Sequence, residues 1–231
     1  MDLISEITEH LDIDWNRMED VHAKASTIFE LICRDPENLE ELVGGVQASE
    51  RLYELSEHYD ILDKLVLADF PEQGVRLRLH VFADGYFDRP HNHRWAYASR
   101  ILSGAYLHRT FACPVSTLDQ GVKVSSLPVT QVQKLRAGDS YVLGTESIHS
   151  ITADPGTVTL VLRGPARSDR FLVMDRVNDT SWWQYGRATE TEAQISAKRM
   201  SDDRFAMAVS RLKSASLVSH TFSINDVSEA A

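Results

Sequence analysis

Between residues 18 and 46 the apolar positions recur with helical spacing. Met18, Val21, Ala25, Ile28, Phe29 and Ile32 form one stripe, and Leu39, Leu42, Val43 and Val46 form a second at i, i+3, i+4 and i+7. Asp35-Pro36-Glu37 between them reads as a helix start: Asp caps, Pro suits the first helical position, and Glu favours the positive helix end. Gly44-Gly45 is expected to weaken the following helix and end it early. Residues 1–58 therefore read as helices, and 1–60 as a helical N-terminal annex.

From about residue 61 the texture changes to short β-type runs. Leu65–Ala68, Val75–Ala83, Ala96–Leu102, Ala105–Ala112, Val129–Leu135, Tyr141–Leu143, Thr157–Leu162 and Phe171–Met174 are separated by turn residues such as Pro71, Gly74, Gly85, Pro90, Gly104, Pro114, Gly121, Gly138, Gly144 and Asp154-Pro155-Gly156. Many short strands at this spacing predict an all-β sandwich or barrel over 61–180. Beyond it, Ser181-Trp182-Trp183 reads as a loop docked on the barrel. Residues 189–213 read as helical, with Met200, Phe205, Met207 and Leu212 apolar, and Asn225–Ala231 as a loose tail. Residues 181–231 thus form a C-terminal extension, and the whole reads as one domain.

Two histidines one residue apart, His91 and His93, point to the same side of an extended segment. A third, His149, follows a Gly-Asp turn and a short apolar run. Three neutral imidazoles converging from two strands suit Fe, Zn, Cu or Ni. The bland alternative is a pair of surface histidines and a satisfied third, but a spaced pair after a Gly-Pro loop favours metal. Strand parity groups Arg76, Arg78, His80 and Phe82 on one face and Leu77, Leu79 and Val81 on the other. The first face is either a cavity wall or a solvated surface. Likewise Thr159, Val161 and Arg163 share a face opposite Leu160 and Leu162. His108 reads as a strand histidine or as a partner of the metal ligands. Trp95, Phe87 and the Trp182-Trp183 pair are core or docking anchors, or a lid.

Composition narrows the partners. The chain has 231 residues, 43% hydrophobic, with a net charge of −10, so nucleic acid and anionic membrane are poor partners. Local arginine clusters in an acidic chain suit a small anionic substrate. Cys33 and Cys113 are too few for a disulfide framework. The start, Met1-Asp2-Leu3-Ile4-Ser5-Glu6, has no basic leader and no apolar span, so a cytoplasmic location is the expectation.

The histidine pattern resembles the cupin superfamily of double-stranded β-helix (jelly-roll) barrels. Its first motif is G-x5-H-x-H, three or four residues, E, six residues and G. Gly85, His91, His93, Tyr97 and Gly104 match its spacing, with Tyr97 in place of Glu. The second, G-x5-P-x-G-x2-H-x3-N, is matched by Gly138 and His149 but not at Pro, the second Gly or Asn. The resemblance implies His91, His93 and His149 as metal ligands, an inward face for Arg78, His80 and Arg163, and Tyr97 as a proton donor beside the ligands, a packing aromatic or a direct ligand. Three histidines without a carboxylate look like the cysteine dioxygenase relatives, which carry N-terminal helices and hold Fe(II). Their Ser-x-His-x-Tyr triad aligns with Thr159, Val161 and Arg163 and is absent. Their substrate-carboxylate Arg falls near Asp63 or Lys64 and is absent too. Cysteine is therefore not the expected substrate. The chain also looks like a bacterial group of metal-dependent cupins of unassigned chemistry.

The resemblance implies a non-haem Fe(II) dioxygenase that takes O2 and a small carboxylate- or thiol-bearing metabolite. Tyr97 and Arg163 would be catalytic, and Arg78, His80 and Arg163 would bind substrate. Arg163 would either pair with substrate or form an internal salt bridge with Glu146 or an Asp. The alternatives are a Zn, Ni or Mn isomerase, decarboxylase or lyase, and a non-catalytic small-ligand module. Cupins commonly pair, so a homodimer is among the expectations. The acidic helices at 1–58 carry no basic recognition stripe for DNA.

Overall fold

The computed structural model describes residues 2–83, 89–112, 119 and 121–223. Gly85, Phe87, Cys113, Pro114 and the tail Asn225–Ala231 lie outside them. Four helices come first: α1 (Leu3–Thr8), α2 (Met18–Cys33), α3 (Pro36–Ala48) and α4 (Glu50–Leu55). The apolar stripes of α2 and α3 are buried as the spacing predicts, and Asp35 caps α3 by accepting from the Glu37 N–H. The glycine pair does not end α3 early. Val43 and Val46, both fully buried, anchor the turn on either side, and that packing outweighs the roughly 1 kcal/mol that each interior glycine costs a helix.

Eleven strands follow among the described residues: β1 (Glu57–Tyr59), β2 (Leu62–Phe70), β3 (Val75–Phe82), β4 (Tyr97–Ser103), β5 (Ala105–Phe111), β6 (Val129–Arg136), β7 (Ser140–Leu143), β8 (Ile148–Ala153), β9 (Val158–Arg163), β10 (Arg170–Asp175) and β11 (Thr180–Tyr185). The first sheet runs β1-β2-β3-β9-β4-β7, every pair antiparallel. The second runs β6-β5-β8 and is joined through residues 90–92 to the β10-β11 hairpin. His91 and His149 exchange two backbone hydrogen bonds of 2.9 Å, Asn92 N–H donates to Leu172 O at 3.2 Å, and Met174 N–H donates to Pro90 O at 2.9 Å. The short segment carrying the histidine pair is therefore held as a strand would be.

The first sheet separates two environments. On its outer face Leu77, Leu79, Val81, Leu160 and Leu162 pack in one apolar cluster with Val21, Ile28 and Phe29 of α2 and with Phe205 and Leu212 of α6 (Asp202–Ser214). Burial of each such side chain contributes about 1.5–3 kcal/mol. Its inner face, with Arg76, Arg78, His80, Thr159, Val161 and Arg163, lines a cavity of about 570 Å³. The solvated-face alternative for Arg78 and His80 is thereby corrected: helices cover one side of the sheet and the cavity takes the other. The result is the all-β jelly-roll barrel with N-terminal helices and a C-terminal helix that the sequence predicts.

Two motif glycines are explained by backbone geometry. Gly138 has φ 94° at the turn into β7. Gly104 has φ 75°, and a Cβ there would lie 2.6 Å from Thr157 Oγ1, so only glycine fits between β4 and β5.

Some expectations need correction. Ser181-Trp182-Trp183 is not a docking loop but part of β11, paired with β10 over Arg170–Asp175. The barrel strands thus run to Tyr185, past the expected limit at 180. The 189–213 helix is two helices, α5 (Glu192–Lys198) and α6, because Ser201 caps a fresh start. Met207 is 49% exposed, not core. Among the described residues, no helix is long and apolar enough to cross a membrane.

Candidate metal centre

His91 enters the site from the stitched segment, His93 two residues later, and His149 from β8. One ring nitrogen from each lies within 4.8 Å of the others. Nε2 of His93 and Nε2 of His149 face each other at 2.9 Å. The His91 ring centroid stands 4.6 Å from that of His93 and 4.7 Å from that of His149.

A ligating imidazole must present a bare nitrogen, and the opposite nitrogen needs an acceptor that fixes the tautomer. His91 Nδ1 lies 2.7 Å from Arg89 O. A carbonyl only accepts, so Nδ1 carries the proton. His149 Nδ1 lies 3.0 Å from His108 Nε2; when Nδ1 donates there, Nε2 is bare. His108 thus contacts a histidine of the group directly. It is diagonal to His149 across the β5–β8 register, where His108 pairs with Ile151 and Thr110 with His149. Burial holds His93 and His149 well below the ordinary imidazole pKa, with further lowering from neighbouring histidines and, at His93, nearby cations. Burial, with a smaller push from His91, lowers His108 to about 4. His93, His149 and His108 are therefore neutral.

Two ligand nitrogens at about 2.0–2.1 Å from one ion lie at most about 4.2 Å apart; the His93–His149 separation of 2.9 Å meets this, and the group as a whole, within 4.8 Å, must contract slightly to share one ion. The site fits a transition metal held by three imidazoles.

Tyr97, where the resemblance places a carboxylate, has its hydroxyl 3.3 Å from His149 Nε2 and 3.4 Å from the Tyr141 hydroxyl. Trp95 stacks on His93 with centroids 4.7 Å apart and 27° between planes. Tyr141, whose ring centroid lies 4.6 Å from that of His108, was not singled out from the sequence. Its alternation with Val142 in a four-residue strand is too short a signal.

Arg78 is 9% exposed, and its Nε has no partner. Burial lowers its pKa from 12.5 to about 10. Its guanidinium carbon lies 6.0 Å from the Trp95 ring centroid. Arg163 pairs in register with Tyr97 on one side and Arg76 on the other. Its Nη1 donates to Gly74 O at 3.1 Å and Gly164 O at 3.0 Å. Among the described residues Arg163 makes no ion pair, and Glu146 is exposed, so the internal salt bridge is corrected to a pair of backbone carbonyls. Burial, then the neighbouring Arg78 and Arg76, lowers Arg163 to about 9. His80 faces the same cavity, half-buried, with no partner at its buried Nε2. Where the resemblance expects an early-strand cation and finds Asp63 or Lys64, Lys64 does line the cavity, its Nζ 4.3 Å from the Tyr59 ring centroid. Trp182 lines the cavity as well, while Trp183 packs in a separate apolar cluster.

No family model matches the chain, and no curated protein does. Solved structures do. KdgF from Halomonas sp. is 16% identical over 47% of this chain and 84% of its own, with a TM-score of 0.35. An RmlC-like cupin from Shewanella frigidimarina is 18% identical over 49% of this chain and 86% of its own, TM-score 0.36. A salicylate 1,2-dioxygenase variant from Pseudoaminobacter salicylatoxidans, in complex with gentisate, is 14% identical over 40% of this chain and 20% of its own, TM-score 0.29. The solved structures similar to part of this chain include cupin proteins, and the three-histidine group lies inside this chain's own barrel.

Proposed function

We propose that this protein is a metal-dependent enzyme in which His91, His93 and His149 hold Fe(II), and that it oxygenates a small anionic metabolite with O2. The observation that carries the reading is the convergence of one ring nitrogen each from His91, His93 and His149 within 4.8 Å, with His91 Nδ1 turned to Arg89 O and His149 Nδ1 to His108. Three imidazoles without a thiolate suit a non-haem iron that keeps positions open for substrate and O2. Fe(II) bound there supplies the redox chemistry that O2 requires.

The chain's own groups do the rest. Arg78 and Arg163 hold the acid group of the substrate and fix its orientation beside the histidines, the largest entropic contribution available to such a site. The Tyr97 hydroxyl, within reach of His149 Nε2, donates a hydrogen bond or a proton to an oxygen of the bound substrate. Trp95 and Trp182 shield the cavity from bulk water.

Nickel or manganese suits the same open site, so an isomerase, decarboxylase or lyase that polarises a carbonyl shares it. O2 dependence separates the two. The protein is reconstituted anaerobically with Fe(II), Ni(II), Mn(II) or Zn(II) and presented with a panel of thiols, amino acids, phenols and dicarboxylic acids. Uptake of O2 matched by oxygenated product, only in the iron form, supports the proposal. Turnover without O2 in another metal form overturns it.

A further inference from the structure

The cavity holds more positive charge than its own carboxylates answer. Arg76, Arg78, Arg94 and Arg163 lie within electrostatic reach of one another. Three carboxylates stand nearby, of which Glu190, on the cavity wall, is paired with Lys198. Asp69 is shared, accepting from Arg76 Nε at 2.8 Å and from Arg51 at 2.5 Å. Glu57 is divided between Arg78, Lys64 and Lys198 and also accepts from the Tyr59 hydroxyl at 3.2 Å. The Nε atoms of both Arg78 and Arg163 are buried without a partner, in a chain whose net charge is −10.

Arg78 and Arg163 are placed to act together. Arg78 pairs with Val161 across β3–β9, and Arg163 follows two residues later on the same face, so the two are diagonal neighbours on one cavity wall. One carboxylate would satisfy one guanidinium and leave the buried Nε of the other without an acceptor, which is the expensive arrangement. A head with two negative charges satisfies both forks.

We propose that the ligand of this cavity is an organic dianion. Its doubly charged head, a phosphoryl group or two neighbouring carboxylates, sits between Arg78 and Arg163, and its body extends past Trp95 to the three histidines. The path is short: 6.0 Å from the Arg78 guanidinium carbon to the Trp95 ring centre, and 4.7 Å from there to the ring centre of His93. A cavity of about 570 Å³ has room for such a body and falls in the range that encloses drug-sized ligands. The placement of the body rests on the metal reading; the placement of the head does not.

The test is calorimetric titration of the full chain at constant ionic strength with inorganic phosphate, malonate and acetate. The proteins are the wild type, R78Q, R163Q and H93A, each checked for folding by its urea midpoint. Phosphate or malonate is expected to bind at least about tenfold more tightly than acetate. Either arginine variant, with R163Q a second reading should R78Q fold poorly, is expected to weaken the dianion about ten- to hundredfold. H93A is expected to lose metal yet bind the dianion within about twofold of wild type, which separates this site from the metal site. The stronger of phosphate and malonate names the head. Acetate binding as tightly as both, folded arginine variants binding like wild type, or H93A losing the dianion would each overturn the proposal.

Discussion

Replacing Arg78 by methionine is expected to stabilise the protein while destroying its anion site. Arg78 is 9% exposed and makes no hydrogen bond through Nε. Burial depresses its pKa from 12.5 to about 10, and each tenfold loss of proton affinity corresponds to about 1.4 kcal/mol. Keeping the charge in the folded state therefore costs about 3 kcal/mol. Methionine fills a similar volume with a flexible apolar chain. The depressed value already contains the attraction to Glu57, so against the relief stands the lost contact with the Trp95 ring, worth about 0.5–1 kcal/mol. The net gain is about 2 kcal/mol, or roughly 4–8 °C in Tm for a chain of this size. The sign with pH follows from the depressed pKa. The penalty is fully present below about 10 and is relieved only as pH rises through that value toward 12.5. The advantage of R78M should then be flat between about pH 6 and 9. Urea unfolding of both proteins across that range measures it. A variant less stable than wild type by about 1 kcal/mol or more would show that Arg78 is a structural ion-pair partner rather than a charge held for a ligand.

Other outcomes follow from the same geometry. H108F removes the acceptor for His149 Nδ1 and should weaken metal binding about 10–100-fold without unfolding the protein, as read by competition with a chelator. Y97F should leave metal content unchanged and lower the rate of turnover once a substrate is found; loss of metal instead would make Tyr97 a ligand. G104A forces a Cβ against Thr157, whose hydroxyl donates to Ala105 O and Asp154 O. At φ 75° it should destabilise by about 2 kcal/mol or more, and a urea midpoint equal to wild type would contradict the packing described between β4 and β5. Burial raises the Asp69 pKa, but hydrogen bonds from Arg51 and Arg76 outweigh it and leave the value lowered. Its contribution is therefore present above the unfolded value of 3.8 and lost as pH falls through the lower folded value. D69N should show a flatter acid limb in an unfolding titration than wild type does.

The sequence was most legible where periodicity and burial agree. The stripes of α2 and α3 and the two-sided pattern of β3 and β9 could be read because a covering layer on one side demands unbroken apolar positions. Three strands were missed. β1 and β8 interleave polar residues that the interior satisfies: His149 reaches His108 and His93, and His58 reaches Asp63 at 2.6 Å. Trp182 and Trp183 read as anchors because their strand pairing depends on β10, which local pattern does not reveal. The three histidines were found because a one-residue gap and a third histidine at motif distance constrain geometry directly. Their supporting groups were harder to see: Arg89 contributes a backbone carbonyl, which has no sequence signature. The fate of Arg163 was open for a similar reason, since its acceptors are the carbonyls of Gly74 and Gly164.

One ion shared by three imidazoles is the central claim, and elemental analysis of protein purified without chelator addresses it most directly. One equivalent of a transition metal per chain is the expected result, falling to background in H91A, H93A and H149A while their urea midpoints show them folded. Metal at background in the wild type after Fe(II) reconstitution, or a full equivalent retained by two of the three variants, would contradict it.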